Sequence, residues 1–321
     1  MAKHTVKDIW SLTKSTVGQF MENNSFRLAA ALAYNTIFSL PPLLLIIISA
    51  AGAIWGEKAF TGELETQLQG ILGKESAEQL QTVIQNVNKS GSGGIASAVG
   101  IATLIFGATT FFITLQDSLN TIWNIKINPK NGILQMARDR FLSFGLILSV
   151  ALLLLISLVI STILSFFGGY LERLLPDIAV VFLYILNFVV SLGMITCLFA
   201  LIYKYLPDAI IRWKDVWVGS FLTALLFVIG KFLIGYYMGT SNPGSAYGAA
   251  GSVIIILVWI YYSSLILFFG SEFTQQYAAM FGQKIRPKAN AVQIQIKEVN
   301  HEETDDFAAG RPKAEGRFRK G

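Results

Sequence analysis

Long apolar runs alternate with short polar segments along the chain. Six of the runs reach the ~20 residues that a helix needs to cross a bilayer core. They extend approximately over Leu28–Ile54, Gly94–Gln116, Phe141–Gly168, Ile178–Tyr205, Val216–Met238 and Ser252–Ala279. Each is longer than a soluble strand, and none alternates residue by residue as a membrane β-strand does. The pattern predicts an all-α, multi-pass membrane protein with six transmembrane helices. It divides the chain into a cytoplasmic amphipathic segment over 1–27, a transmembrane domain over 28–279 and a cytoplasmic, mostly disordered tail over 280–321. The polar and charged composition of the tail carries that last expectation.

The segments between the spans are read in the same way. Val6, Ile9, Trp10, Val17, Phe20 and Met21 fall near helical spacing, with Lys3, Lys7 and Lys14 between them. This is either a short helix lying on the membrane surface or a helix packed under the bundle. No apolar run precedes Leu28, so the first span is expected to serve as the targeting segment. Residues 55–93 are expected to form an external loop with two short amphipathic helices. Leu64, Leu68, Ile71 and Leu72 mark one face, and Leu80, Val83, Ile84 and Val87 the other.

Charge sets the orientation. Of 25 lysines and arginines, 20 fall in 1–27, the second and fourth loops and the tail; four fall in the first and third loops. Basic loops stay in the cytoplasm, so both termini are expected there, in a bacterial plasma membrane. The formal net charge of +5 then follows from topology. Membrane lipids are the expected partners, and nucleic acid is not. Composition agrees: 53% of residues are apolar and 14% charged, and mean hydropathy is +0.55. A soluble domain carries about 25% charged residues.

The chemistry is sparse. The chain has two histidines, His4 and His301, and one cysteine. This removes most metal and histidine-base chemistry and any intrachain disulfide. Gly230-Lys231 is followed by Phe232, so no P-loop forms, and no G-x-S-x-G elbow is present. No cofactor and no enzyme activity are expected.

Attention moves to polar groups in or beside apolar spans, where a charge costs roughly 2.5–3.5 kcal/mol at mid-helix. Lys231 lies about seven residues, roughly 10 Å, from the external end of the fifth span. It either snorkels to the interface, lines a cavity or joins a buried ion pair. Glu272 lies at a similar depth from the opposite face, so a direct pair with Lys231 is not expected. Arg27, Arg140, Asp117 and Asn120 sit at the depth of Glu272, and the five are expected to form a cytoplasmic polar lock, unless each is bonded to interfacial water. Tyr34, Asn35 and Ser39 continue from Arg27 towards the bilayer centre. Pro41-Pro42 then interrupts the helical ladder, either as a structural kink or as the edge of a substrate path.

Four segments in order resemble a known family. They are Arg27-Leu28-Ala29-Ala30-Ala31-Leu32-Ala33-Tyr34 with Ser39-Leu40-Pro41-Pro42; Leu115-Gln116-Asp117-Ser118-Leu119-Asn120-Thr121-Ile122-Trp123; Leu206-Pro207-Asp208 with Trp213, Thr223 to Phe227 and Gly230-Lys231; and Tyr247-Gly248-Ala249-Ala250-Gly251-Ser252 with Trp259, Tyr261 to Ser264 and Gly270-Ser271-Glu272-Phe273. Together they resemble the YihY/BrkB family of bacterial inner-membrane proteins, once labelled ribonuclease BN. The chain departs from the family at Asn23-Asn24-Ser25, where an acidic residue is expected. The resemblance implies a six-helix membrane protein without an assigned molecular activity. The ribonuclease label does not fit a chain whose two histidines lie at opposite ends. Broken first span, polar groups at two depths and missing enzyme motifs favour transport of an unidentified substrate, a lipid or other amphipathic molecule. The alternative is an envelope-integrity protein that transports nothing.

Overall fold

The computed structural model describes residues 6–39, 110–127, 176–241 and 251–294. These residues are predominantly helical. In chain order they comprise α1 (Val6–Glu22), α2 (25–39), α3 (110–122), β1 (Ile125–Ile127), α4 (Pro176–Tyr205), β2 (Ala209–Ile210), α5 (Trp213–Ser241), α6 (Gly251–Phe281), β3 (Arg286–Pro287) and β4 (Ala291–Gln293). Among them three helices are long and apolar enough to cross a membrane, over Ile185–Tyr205, Trp213–Tyr237 and Ile254–Phe281. The expected third span over 141–168 and external loop over 55–93 lie outside the described residues, as does Pro41-Pro42.

Local chemistry fixes where these helices start and stop. Asn24 has φ 53°, the left-handed conformation that asparagine tolerates at a helix end. Its carbonyl then accepts from the amides of Arg27 (2.9 Å) and Leu28 (3.2 Å), so the residue that follows α1 also opens α2. Asn124, with φ 55°, turns the chain from α3 into β1 in the same way. Pro207 has no amide proton to extend α4 beyond Leu206. The next helix, α5, opens on the Arg212 carbonyl, which accepts from Asp215 and Val216, both at 3.1 Å. Asp215 in that first turn complements the helix dipole and accepts two bonds from the Arg212 guanidinium, at 3.0 and 3.1 Å. The carboxylate holds Arg212 above the usual arginine range.

The core lies between α4, α5 and α6, with α1 packed on α6 and with α3 inserted through Leu119, Ile122 and Trp123. Close approach of α5 and α6 depends on glycine. A Cβ on Gly219 would meet the Thr274 hydroxyl, one on Gly270 the Thr223 hydroxyl, and one on Gly230 the Tyr262 ring. These three matched pairs run in opposite senses, so α5 and α6 are antiparallel. Small residues at such a crossing let the backbones approach where no hydrophobic force joins helices in lipid. The outer faces are apolar and open: Ile185 and Val189 on α4, and Phe232, Leu233 and Tyr236 on α5. In water such a surface would associate; in a bilayer it faces lipid tails.

After α6 the chain continues through two short strands, β3 and β4, within the first part of the expected tail. β3 pairs antiparallel with β2 (Ile210 with Arg286), and β4 with β1 (Lys126 with Val292). Each ladder is only two or three residues long. Bonds outside the ladders supplement them: the Ile294 amide donates to the Asn124 carbonyl at 2.7 Å, and the Lys288 amide to the Asp208 carbonyl at 2.9 Å. The rest of the tail, 295–321, lies outside the described residues.

Candidate functional site

All the loops just described gather at one end of the bundle: the α1–α2 turn, the α3–β1 turn, the α4–α5 connection and the segment after α6. Three buried carboxylates sit among them: Asp215, which is paired with Arg212, and Glu272 and Asp208, which are held by amides. Glu272, on α6, has no exposed surface. Its Oε1 accepts a hydrogen bond from the Asn23 amide, in the α1–α2 turn. With its amide nitrogen turned inward, Gln275 donates to Oε2 at 3.3 Å. Both amides also reach the carbonyl of Ile122 at the end of α3, each at 3.3 Å. The neighbouring Ser271 carbonyl accepts from the wholly buried indole of Trp123 at 3.2 Å. Glu272 therefore ties α6 to the α1–α2 turn, and the same set of bonds ties both to α3. Among the described residues its partners are amides rather than cations.

Asp208 forms the second centre. Its Oδ2 accepts from Gln116 at 2.9 Å and Asn120 at 3.0 Å, both on α3, and its Oδ1 from Asn290 at 3.1 Å, between β3 and β4. Its amide donates to Asn120 Oδ1 at 2.9 Å, so Asn120 reads both sides of the residue. Lys288 Nζ donates to the Pro207 carbonyl at 2.7 Å. The Leu206-Pro207-Asp208 loop thus fastens the C-terminal segment to α3. Asp208→Ala is expected to strip three amide bonds from this joint. Tryptic cleavage at Lys284 and Lys288 in folded, detergent-solubilised protein should become several-fold faster, and an unchanged cleavage rate would show that the strand ladders hold the segment alone.

The sequence-predicted residues separate in the structure. Asn120 belongs to the Asp208 centre, not to Glu272. Arg27 is exposed: α2 buries Ser25, Ala29 and Leu32, and at about 100° per residue Arg27 points to the opposite side. Asp117 is likewise exposed, on the far side of α3 from buried Leu115, Ser118 and Leu119. Arg140 lies outside the described residues. Among the described residues the bonds to Glu272 come from Asn23 and Gln275 and not from Arg27, Asp117 or Asn120, because depth along a helix says nothing about which way a side chain turns. Further along α2, Asn35 donates to Thr114 Oγ1 of α3 at 2.8 Å, buried Ser39 donates to the Asn35 carbonyl at 2.8 Å, and Tyr34 is exposed beside Phe38. Lys231 is half-buried on α5, one residue past Gly230, which faces Tyr262. That is ten residues from the level of Glu272 on α6, about 15 Å along the helix.

Asn23, Gln116, Asp208, Gln275 and Asn290 were not singled out as site residues from sequence. Asn23 had a signal, as a departure from the family pattern, and Asp208 stood in a quoted motif. Among the described residues no group of three His, Cys, Asp or Glu side chains is placed to hold a metal ion.

The end that carries these centres also has an aromatic and basic rim. Tyr205, Trp213 and Trp217 are partly exposed and stack edge or tilted, with centroids 5.9 and 6.4 Å apart. The Lys204 ammonium lies 5.5 Å from the Trp213 ring centroid. Aromatic rings beside basic residues mark the headgroup level of a membrane.

Comparison with known proteins places the chain among membrane proteins. The family described as virulence factor BrkB matches residues 16–295, most of the chain. The chain is similar to a UPF0761 membrane protein of Verminephrobacter eiseniae, with 27% identity over 83% of this chain and 62% of the relative. It is similar to UPF0761 membrane proteins of Pseudoalteromonas atlantica, at 27% identity over 83% of this chain and 85% of the relative, and Tolumonas auensis, at 28% over 77% and 78%. The chain thus spans less than two thirds of the first of these relatives and most of the other two. No solved structure matches it.

Proposed function

We propose that this chain, which belongs to the virulence factor BrkB family of multi-pass bacterial membrane proteins, transports a lipid or other amphipathic substrate, with the Glu272 centre as its closed inner gate. In this reading six spans cross the plasma membrane and both termini are cytoplasmic. The basic residues at the loop end, among them Lys126, Lys204, Arg212 and Lys214, support that orientation.

One observation carries the reading. A carboxylate without exposed surface sits in a membrane-crossing helix, held by one amide from a turn and one from the next turn of its own helix. An ionisable group in such a place costs several kcal/mol, and intramembrane carboxylates commonly mark substrate or ion paths. Parting the α1–α2 turn from α6 would break the Asn23 bond and wet the carboxylate. The elements that close the end are joined by polar bonds, which water can replace when they separate.

Reconstitution into liposomes tests the proposal, with scrambling of a fluorescent phospholipid and ion-driven solute flux as readouts. Wild-type protein should exceed protein-free vesicles in one of these. Glu272→Gln, which keeps the shape and one acceptor oxygen for Asn23 but turns an NH2 towards Gln275, should change that rate several-fold while the protein stays folded. Folded wild-type protein that moves neither lipid nor solute would leave the envelope-integrity reading in its place.

A further inference from the structure

α1 has two apolar faces, and only one of them is used by the bundle. Leu12, Thr16 and Phe20 are buried, and the Phe20 ring meets Phe269 of α6 edge-on at 5.7 Å. Val6, Trp10, Val17 and Met21 form a second stripe, within about 60° of arc at 100° per residue. They are 82%, 72%, 48% and 61% exposed. Lys14 and Lys7, both exposed, continue around the helix at the edge of this stripe. Asp8 and Glu22 lie on the far side of the helix. The order around the cylinder is bundle contact, apolar stripe, lysines, acids.

From this arrangement we infer that α1 is a membrane-surface helix whose Val6, Trp10, Val17 and Met21 stripe inserts at the lipid interface, with Lys7 and Lys14 on anionic phospholipid headgroups. Three observations select lipid as the occupant. The stripe is apolar and edged by cations, which complements an anionic interface and not a hydrophobic protein groove alone. The helix ends two residues before α2, so it has no length in which to leave the bilayer edge. An exposed tryptophan within the stripe suits the headgroup level, as Trp213 and Trp217 do elsewhere at this end of the bundle. The inference is independent of whether the chain transports anything.

The test uses full-length protein with Cys197→Ser and single cysteines at Trp10, Val17 or Ser11, each carrying an environment-sensitive dye. Ser11 is exposed but off the stripe. In phosphatidylcholine vesicles containing phosphatidylglycerol, labels at 10 and 17 should be quenched by nitroxide-bearing lipid and shielded from aqueous iodide, with the reverse at 11. Lys7→Glu with Lys14→Glu should weaken the shielding, as should omission of phosphatidylglycerol. Iodide access at all three positions would overturn the inference. So would shielding at 10 and 17 from iodide without quenching by nitroxide-bearing lipid, which would place a second copy of the chain on the stripe.

Discussion

Asn23→Leu should destabilise the protein in detergent by about 1.5–3 kcal/mol, the range for a hydrogen bond to a charged group whose partner is left buried. The same substitution should cost almost nothing when Glu272 is already leucine. The argument rests on what remains after each change. Glu272 has no exposed surface, and Asn23 donates to its Oε1 from outside α6. Without that amide the carboxylate keeps Gln275 but cannot recruit water without opening the end of the bundle. Removing the carboxylate first removes the demand. A double-mutant cycle on thermal unfolding therefore gives a coupling of about 1.5–3 kcal/mol for Asn23 with Glu272. Arg27→Met, at an exposed position, should shift stability within about 0.5 kcal/mol and show no coupling to Glu272→Gln. Coupling to Arg27 and none to Asn23 would mean that the α1–α2 turn is wrongly placed over α6.

This pair also marks how far the sequence could be read. Apolar run length located the membrane-crossing helices α4, α5 and α6 to within three residues at each end, because desolvation of twenty apolar residues is a long-range, additive signal. Polar partners are neither long-range nor additive. Ranking Arg27 and Asp117 by depth placed them beside Glu272. A helical wheel on the same residues turns both away, since Ser25, Ala29 and Leu32 on one helix and Leu115, Ser118 and Leu119 on the other define the buried sides. Asn23 lies in a turn, and no periodicity governs a turn. Its neighbours in space, Ile122 and Glu272, are 99 and 249 residues away in sequence. The strands at Arg286–Pro287 and Ala291–Gln293 are too short to show alternation, so a polar composition hid them. Asp208 stood inside a motif, but its role appears only when Gln116, Asn120 and Asn290 converge on it.

The α5–α6 crossing is the place where the smallest addition should do the most harm. Gly270→Val should cost more than 3 kcal/mol, and Gly270→Ala about 1–3 kcal/mol, the usual range for methyl groups forced into a packed core. A Cβ at Gly270 would collide with the Thr223 hydroxyl and come within 2.6 Å of the Tyr203 hydroxyl. Neither neighbour is free to yield. Thr223 donates to the Gly219 carbonyl at 2.7 Å, and Tyr203 donates to the Leu267 carbonyl at 2.7 Å. Moving either would leave a polar group unbonded where there is no water, which raises the cost beyond that of contact alone. The two helices would have to part instead, and Gly219, which faces Thr274 one turn away, would lose its own close approach. Thr223→Ala removes the first obstacle, so Gly270→Ala with Thr223→Ala should be more stable than Gly270→Ala alone, although Thr223→Ala in the wild-type chain should be mildly destabilising. The cycle is read by thermal unfolding in detergent together with the fraction of protein recovered in a single species. If Gly270→Ala is tolerated without loss, the helices do not approach as closely as the Thr223 and Tyr203 contacts require.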